Sequence, residues 1–380
     1  MVKKCVCLAL VLLFVLSLAG CWSYRGLDEM AIVAGVAIDR ADESGKYLLT
    51  FEIVDISLSI KEEGPKSKLL ESEGSTLFEA IRAAKQKIKN KLYFAHSQLV
   101  IISKDIARED DIGYILDWFM RDGEARETMY LAVSQERSAQ DILQSGGVDE
   151  SLISMKLQKI LENDNSITAS TVAVEVYNAY DTIHTPGKDL ALAAVRTSQN
   201  SGETICESHG IAVFKDRRLV GFLTPQESKG YLFCVGSVDG GVLTFSSKGH
   251  GEDDVTLEIE ETQTKRSVVN KDGKVSIRVE VKAYCFLGEL MNPNVKLDTD
   301  KLEELQELAA KKLKKDIMDT IEKVQSEYGA DIFGFGSLIH QKDFRLWEQL
   351  KHRWDSMFKT IQVEVETEVH IVNTAALSKS

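Results

Sequence analysis

The fold of the second half of this chain is decided by the sequence GIAVFKDRRLVGFLTP, residues 210–225. Its two apolar runs, 210–214 and 218–223, predict strands, and the polar residues between them predict the turn of a β-hairpin. Pro225 predicts the first turn of a helix that runs to Val235, because proline is tolerated at the first helical position. A hairpin that leads directly into a helix is therefore expected here.

Strands and helices mix on both sides of this stretch without strict alternation. Downstream, residue patterns predict strands at 242–246, 255–262, 275–285 and 361–369, and helices at 302–328 and 347–358. Upstream, they predict strands at 30–38, 46–54, 92–102, 128–133 and 190–196, helices at 76–90, 105–120 and 152–161, and a polar loop at 59–74. The predicted fold class is therefore α+β, multi-domain with three domains, in which helices pack on mixed and antiparallel sheets.

Length and charge limit what this chain can be. Its 380 residues exceed one ordinary core and favour two or three domains. The clearest polar break, residues 197–203, predicts a boundary between an amino-terminal α+β region at 21–200, which contains one or two subdomains, and a carboxyl-terminal α+β domain at 201–375. The net charge of −13 argues against nucleic acid as a partner and predicts repulsion from anionic lipid.

Residues 1–20 have the features of a secretory signal peptide. Two lysines precede an apolar run at 5–19, which is too short to span a bilayer comfortably. The sequence LAGC at 18–21 resembles a bacterial lipobox, which implies lipid on the Cys21 sulfur and cleavage after Gly20. A plain signal peptide or an uncleaved anchor is the alternative. Cleavage leaves a charge of −15, which is −13 less two lysines, so we expect lipid and not a basic patch to hold the protein at the membrane.

The isolated polar residues do not form a complete catalytic or metal-binding set. Cys206 and His209 are three residues apart, but a metal site needs three or four ligands, so incidental polar residues of a strand are the favoured interpretation. Cys234 and Cys285 lie in apolar runs and are expected in the core. His96 is expected to be a satisfied core or edge histidine of an apolar strand.

Two charged features are candidates for contact with a partner. Glu227 lies in the first turn of the helix that follows Pro225, where the free N–H groups and the dipole favour a carboxylate. Local capping explains Glu227 about as well as a partner contact does. Four lysines of the long predicted helix favour a solvated face, with contact to headgroups or an acidic loop as the alternative: Lys311, Lys312, Lys314 and Lys315.

Several stretches, in order along nearly the whole chain after residue 20, resemble the Ger(x)C family of spore germination lipoproteins, the C subunits of nutrient germinant receptors. The most characteristic block is HGIAVFK at 209–215 with LVGFL at 219–223 and ESKGY at 227–231. The other similar stretches are Gly20-Cys21-Trp22, Leu27, AIVAGVAID at 31–39, FAHSQLV at 94–100, and DIFGFG at 331–336 with Trp347 and Trp354 downstream.

This resemblance implies a three-domain α+β lipoprotein, with diacylglycerol on the Cys21 sulfur, on the outer face of the spore inner membrane. It implies a non-catalytic subunit that works with integral-membrane A and B subunits to sense small nutrients and trigger germination after sporulation. It implies no cofactor, no metal and no catalytic residue. A lipid-anchored solute-binding protein that feeds a transporter is the alternative, and it requires two α/β lobes around a cleft.

Overall fold

The structure, a computed structural model, describes residues 29–41, 45–55, 66–123, 125–146, 152–291 and 297–373. Its strands are β1 (Met30–Arg40), β2 (Tyr47–Val54), β3 (Ser67–Gly74), β4 (Lys91–Tyr93), β5 (Leu99–Ser103), β6 (Tyr130–Ser134), β7 (Ala191–Asn200), β8 (Glu203–Lys215), β9 (Arg218–Leu223), β10 (Val242–Phe245), β11 (Val255–Lys271), β12 (Lys274–Leu290) and β13 (Gln362–Asn373).

The helices in the same ranges are α1 (Leu77–Ala84), α2 (Lys104–Glu109), α3 (Ile112–Arg121), α4 (Gln140–Gln144), α5 (Ile153–Ile167), α6 (Val176–His184), α7 (Pro225–Val235), α8 (Thr299–Lys323), α9 (Phe335–Lys342), α10 (Phe344–Leu350) and α11 (Trp354–Phe358). A π-helical turn, Val324–Tyr328, continues α8, and a 3-10 turn, Lys351–Arg353, separates α10 from α11.

Nine strands form one mixed sheet in the order β3-β2-β1-β5-β6-β7-β8-β9, and β4 pairs with the start of β1. The central strands β1, β5, β6 and β7 are parallel neighbours. The strands on both flanks pair antiparallel. Helices connect the parallel strands, as parallel pairing requires, and hairpins build the edges. The predicted α+β class with mixed sheets is confirmed.

Helices cover both faces of this sheet. On one face α1, α2, α3 and α6 pack on the sheet, and on the other face α4 and α5 do. Strands covered on both faces are apolar throughout rather than alternating. The run from Leu99 to Ile102 in β5 is completely buried for this reason.

Two buried carboxylates attach helices to the sheet across long stretches of chain. Asp39, in β1, accepts hydrogen bonds from the backbone N–H groups of Ala139 (2.7 Å) and Gln140 (3.0 Å) at the start of α4. Glu52, in β2, accepts them from the first two residues of α5, both at 2.9 Å. The first N–H groups of a helix lack partners within the helix. These carboxylates satisfy them and so fix α4 and α5 on the sheet.

The carboxyl-terminal unit is a four-stranded sheet in the order β10-β11-β12-β13, packed against α7, α8 and the segment from α9 to α11. The apolar stripe of α8 faces this core, as its helical spacing predicts, through Leu305, Ala309, Leu313, Ile317 and Ile321. Strand β12 pairs antiparallel with β11 and parallel with β13. The opposite face of the sheet is wet and carries ion pairs such as Arg278 with Glu364 at 2.9 Å.

Part of the loop predicted at 59–74 is a strand instead. Residues 67–74 form β3, which pairs with β2 along its whole length. Its sequence, SKLLESEG, lacks the apolar alternation of a typical strand, and the edge of β2 supplies the hydrogen-bond partners that order it. Residues 56–65 lie outside the described residues.

Two predicted helices are shorter than their patterns suggest. The helix that opens at the Thr76 cap ends at Ala84 rather than near residue 90. The helix predicted at 105–120 is divided into α2 and α3, because the Asp111 side chain accepts a hydrogen bond from the N–H of Gly113 (2.7 Å) and starts a new helix there.

The polar break at 197–203 is the hairpin between β7 and β8. Its turn consists of Ser201 and Gly202, both with positive φ. Strands β8 and β9 then complete the nine-stranded sheet, so this sheet contains strands from both sides of residue 200. The division of the chain at 200 and 201 stays a prediction.

Candidate functional site

Glu227, the candidate partner-surface residue, is the third residue of α7 and is half-buried. Its carboxylate accepts a hydrogen bond from the N–H of Thr224 (2.8 Å), and the Thr224 hydroxyl accepts one from the N–H of Glu227 (3.3 Å), which completes a capping box. Lys323 Nζ, at the end of α8, lies 2.8 and 3.0 Å from the two carboxylate oxygens. Partial burial opposes ionisation, but the bonds from Lys323 and Thr224 outweigh it and hold the pKa of the Glu227 carboxyl below its usual range. Glu227 therefore joins α7 to α8.

Residues 209–231, which we call the signature block, also face α8 and its π-helical turn through two glycines. A Cβ atom at Gly221, in β9, would collide with the ring of Tyr328, whose hydroxyl donates to the carbonyl of the next residue in β9 at 2.9 Å. A Cβ atom at Gly230, in α7, would collide with the side chain of Thr320. Both positions require glycine because another element approaches the backbone closely. The chain's own long helix therefore covers this side of the block.

A second set of motif residues forms a buried contact that we call the seam, made of residues 187–189, Lys215, residues 331–336 and Trp354. The Asp331 carboxylate accepts hydrogen bonds from the N–H groups of Phe335 (3.0 Å) and Gly336 (2.7 Å) and from Nε1 of Trp354 (3.1 Å). The N–H of Asp331 donates to the Asp189 carboxylate at 2.7 Å. In turn, the N–H of Asp189 donates to the Asp331 carbonyl at 2.9 Å. The seam thus joins the segment before β7 to the carboxyl-terminal unit.

Burial dominates the electrostatics of the seam. It raises the pKa of Asp331 to about 7, although the hydrogen bonds to the carboxylate act in the opposite direction. Burial also raises the pKa of Asp189, against the attraction of Lys215, whose Nζ lies 3.2 Å from Asp189 and 2.6 Å from Asp355. A raised carboxyl pKa is one mark of a catalytic site. Here both Asp331 oxygens already accept hydrogen bonds within the core, so the geometry is that of a structural contact.

Cys206 and His209 do not form a site. Cys206 is buried against α4 and α5, and burial raises the pKa of its thiol, which disfavours the reactive thiolate. Within the described ranges, no group of three or more His, Cys, Asp and Glu residues is placed to hold a metal ion. Cys234 and Cys285 are buried in the core, as predicted. His96 differs from its prediction: it is exposed in the connection between β4 and β5, where its ring meets that of Tyr93 edge-on at 5.8 Å.

Comparison with known proteins relates both halves of the chain to spore germination proteins. The family model described as "Spore germination protein N-terminal domain" matches residues 23–197, and "Spore germination B3/ GerAC like, C-terminal" matches residues 209–375. The chain is 27% identical to spore germination protein KC of Bacillus subtilis (strain 168) over 98% of this chain and 97% of that protein. It is 25% identical to spore germination protein B3 of the same organism over 96% of each. The chain belongs to the Ger(x)C family.

A solved structure shares the fold of this Ger(x)C chain. The crystal structure of the GerBC protein matches it with a TM-score of 0.60, over 89% of this chain and 97% of that chain, at 22% identity. At this identity the likeness establishes the fold alone. The two family models end and begin at residues 197 and 209, on the two strands of the β7–β8 hairpin.

An open face of this Ger(x)C chain, between α1 and α3, was not predicted from the sequence. Phe78 and Tyr114 are 51% and 74% exposed. With Trp118 and Tyr47 they line a groove of about 600 Å³. A second groove, of about 480 Å³, also borders Phe78 and Trp118. The available signal was that Phe78 and Tyr114 lie off the apolar stripes that predict the two helices.

Two of the four lysines in the α8 cluster form ion pairs with aspartates of the same helix. Lys312 pairs with Asp316 at 2.6 Å, and Lys315 pairs with Asp319. Lys311 and Lys314 are exposed. This arrangement agrees with the solvated helix face that the sequence favours.

Cys21, the predicted lipid-attachment residue, lies outside the described residues, so acylation stays a prediction. In the part of the chain that the structure describes, no helix has both the length and the apolar character needed to cross a bilayer.

Proposed function

We propose that this chain is the non-catalytic lipoprotein subunit of a membrane-bound nutrient germinant receptor that triggers spore germination. In this proposal Cys21 carries the acyl chains, and they hold the protein on the outer face of the spore inner membrane. Its partners are the integral-membrane A and B subunits. The observation that carries the proposal is the end-to-end match to spore germination proteins KC and B3 of Bacillus subtilis.

The chemistry of the motif residues supports a subunit rather than an enzyme. The polar groups of the seam and those of the signature block form hydrogen bonds within the protein. Asp331 accepts from three N–H groups, and Glu227 accepts from Thr224 and Lys323. A catalytic group needs free access to a substrate. These groups instead stabilise the contacts between elements.

The alternative of a solute-binding protein finds less support in the architecture. Such a protein requires two similar α/β lobes around a cleft. The two sheets here differ in strand number and in topology, with nine strands in one and four in the other. They are not a repeated pair of lobes.

The test is recovery of the tagged full chain from solubilised spore membranes, followed by identification of the proteins that accompany it. We expect two integral-membrane proteins in constant proportion, and their loss when Cys21→Ala releases the chain. Recovery of a transporter permease instead would favour the solute-binding alternative. Recovery of the chain alone from an intact membrane fraction would contradict the receptor proposal.

A further inference from the structure

The connection between α1 and β4 concentrates positive charge on an acidic protein. Residues 82–91, which we call the basic segment, carry no carboxylate and five cations: Arg82, Lys85, Lys87, Lys89 and Lys91. No Asp or Glu occurs in the sequence between residues 80 and 104, whereas the whole chain has a net charge of −13. An acidic net charge therefore coexists with a strongly basic region.

Much of this charge is available to an external partner. Arg82, Lys85 and Lys89 are exposed, and none of the three pairs with a carboxylate of the described residues. The Arg82 guanidinium lies 4.9 Å from the ring centre of Phe78, the exposed aromatic residue of the open face. Three carboxylates lie close to the segment: Asp122 lines the adjoining groove, Glu71 belongs to the strand whose carbonyl accepts from Lys87 Nζ at 2.9 Å, and Glu79 precedes Arg82 by one turn of α1. Three carboxylates do not balance five cations.

The basic segment also lies beside the first residues of β1, the first strand after the predicted lipid-attachment residue. Its last residue begins β4, which runs parallel to the first residues of β1 and pairs Lys91 with Met30. The side chain of Asn90 donates to the Met30 carbonyl at 3.3 Å. Cys21 precedes Met30 by nine residues. Nine residues reach at most about 32 Å when fully extended, so acyl chains on Cys21 would hold this end of the body close to the bilayer.

We propose that the basic segment, with Phe78 beside it, is the face that the body places on the phosphate groups of an anionic phospholipid membrane. The inference rests on the lipid anchor of the proposed function. Anionic lipids attract Lys and Arg that lie within about one Debye length, about 8 Å at physiological ionic strength. An exposed aromatic ring next to such cations suits the headgroup region. The acyl chains supply the attachment, and the basic segment sets the orientation.

A basic face on an acidic body is compatible with anionic lipid, although the net charge of −13 predicts repulsion. That expectation treats the charge as evenly spread. Exposed charges farther apart than a Debye length are largely screened from one another. The membrane therefore interacts with the nearest cations and not with the carboxylates on distant faces.

The experiment measures orientation in the lipidated full chain, by quenching of a thiol-linked fluorophore with a quencher on lipid headgroups. The probe is placed at Gln86→Cys, in the basic segment, or at Gln349→Cys, on α10; both positions are exposed. The native thiols Cys206, Cys234 and Cys285 are buried and label slowly. Vesicles contain phosphatidylcholine alone or mixed with phosphatidylglycerol.

We expect stronger quenching at residue 86 than at residue 349, a rise at residue 86 when phosphatidylglycerol is added, and loss of that rise in high salt. The triple variant Arg82→Gln, Lys85→Gln, Lys89→Gln should abolish the rise. The matched control Lys271→Gln, Lys311→Gln, Lys314→Gln should keep it. Equal quenching at both positions, or equal effects of the two triple variants, would overturn the inference.

Two further outcomes separate this inference from the proposed function. Flotation with pure phosphatidylcholine vesicles reports the acyl anchor alone, because neutral lipid does not attract the cations. If the chain does not float with phosphatidylcholine vesicles, the acyl anchor is refuted. If it nevertheless binds phosphatidylglycerol vesicles, and the triple variant abolishes that binding, the lipid-binding face is retained. Quenching at residue 86 that requires an acidic membrane protein, and not phosphatidylglycerol, would make the segment a protein contact and refute the inference.

Discussion

The seam and the open face use aromatic side chains in opposite ways. In the seam, Trp354 is 4% exposed and donates its ring N–H to the buried Asp331. On the open face, Phe78 and Tyr114 are 51% and 74% exposed and border a groove. The seam is rich in mutual hydrogen bonds, and the open face is apolar with charges around it.

This difference distinguishes the residues that carry the family resemblance from the residues that are accessible to other molecules. The motif residues that carry the family resemblance, in the signature block and in the seam, contact other elements of the same chain. Phe78, Tyr114 and the basic segment lie outside those motifs. A partner surface is therefore better sought on the open face than among the residues that reveal the family.

The largest expected effect is that of Asp331→Ala in the seam. The substitution leaves the N–H groups of Phe335, Gly336 and Trp354 without their acceptor. A buried donor without a partner costs about 1–3 kcal/mol, so we expect a loss of about 3–5 kcal/mol in the free energy of unfolding. Denaturant titration measures it. The control Asp355→Ala, whose side chain is 72% exposed, should cost less than about 1 kcal/mol. Similar small losses for both would contradict the account of the seam.

The pH dependence of stability tests the Asp331 carboxyl without removing any side-chain volume. Because the pKa of Asp331 is raised to about 7, the folded protein keeps a proton that the unfolded chain releases near pH 4. The unfolded state then binds fewer protons, so this group lowers stability as the pH rises from about 4 to about 7, by on the order of a few kcal/mol. Above pH 7 its contribution is flat. Asp331→Asn should remove this decline; equal declines in both proteins would refute the assignment.

The ion pair between Glu227 and Lys323 should contribute less. Glu227→Gln keeps a capping side chain but loses the charge, so we expect a loss of about 0.5–1 kcal/mol. Lys323→Gln should lower the free energy of unfolding by the same amount. In a double-mutant cycle, the double variant should lose little more than either single variant, because both changes remove the same ion pair. Recovery of membrane subunits from spores should be equal for the two single variants. A defect confined to Glu227→Gln would support the partner contact predicted from the sequence.

The smallest effect on folding is expected on the open face. Phe78→Ser should change the free energy of unfolding by no more than about 0.5 kcal/mol, because the side chain is half exposed. The matched core variant Phe94→Ser, at 4% exposure, should cost several kcal/mol. Thermal unfolding of both variants checks the contrast. A comparable loss for Phe78→Ser would show that the open face is part of the core.

The sequence predicts the elements with strong local patterns well. The helix at 302–328 follows from the helical spacing of its apolar residues, and the start of α7 follows from Pro225; both elements are present. Strand β3 escapes prediction because its order comes from pairing with β2 and not from its own residues. The division between α2 and α3 depends on one side-chain bond of Asp111, which a periodic pattern cannot reveal.

Contacts between distant segments were the least predictable part of the candidate site. Glu227 was identified as a helix-start charge, but Lys323 follows it by almost one hundred residues, and the tertiary fold alone brings the two together. Asp331 stands in a recognised motif, yet its role depends on Trp354 and on Asp189 of the other half. The net charge did not reveal the basic segment, because it adds up charges that lie on separate faces of the protein.

The most direct test of the central claim, an anchored receptor subunit, compares spores that make the wild-type, Cys21→Ala and Cys206→Ala chains. The measurement is nutrient-triggered germination together with the amount of the chain in the membrane fraction. We predict that Cys21→Ala removes the chain from the membrane and abolishes germination through its receptor, whereas Cys206→Ala retains both. Normal membrane retention and normal germination with Cys21→Ala would contradict the claim.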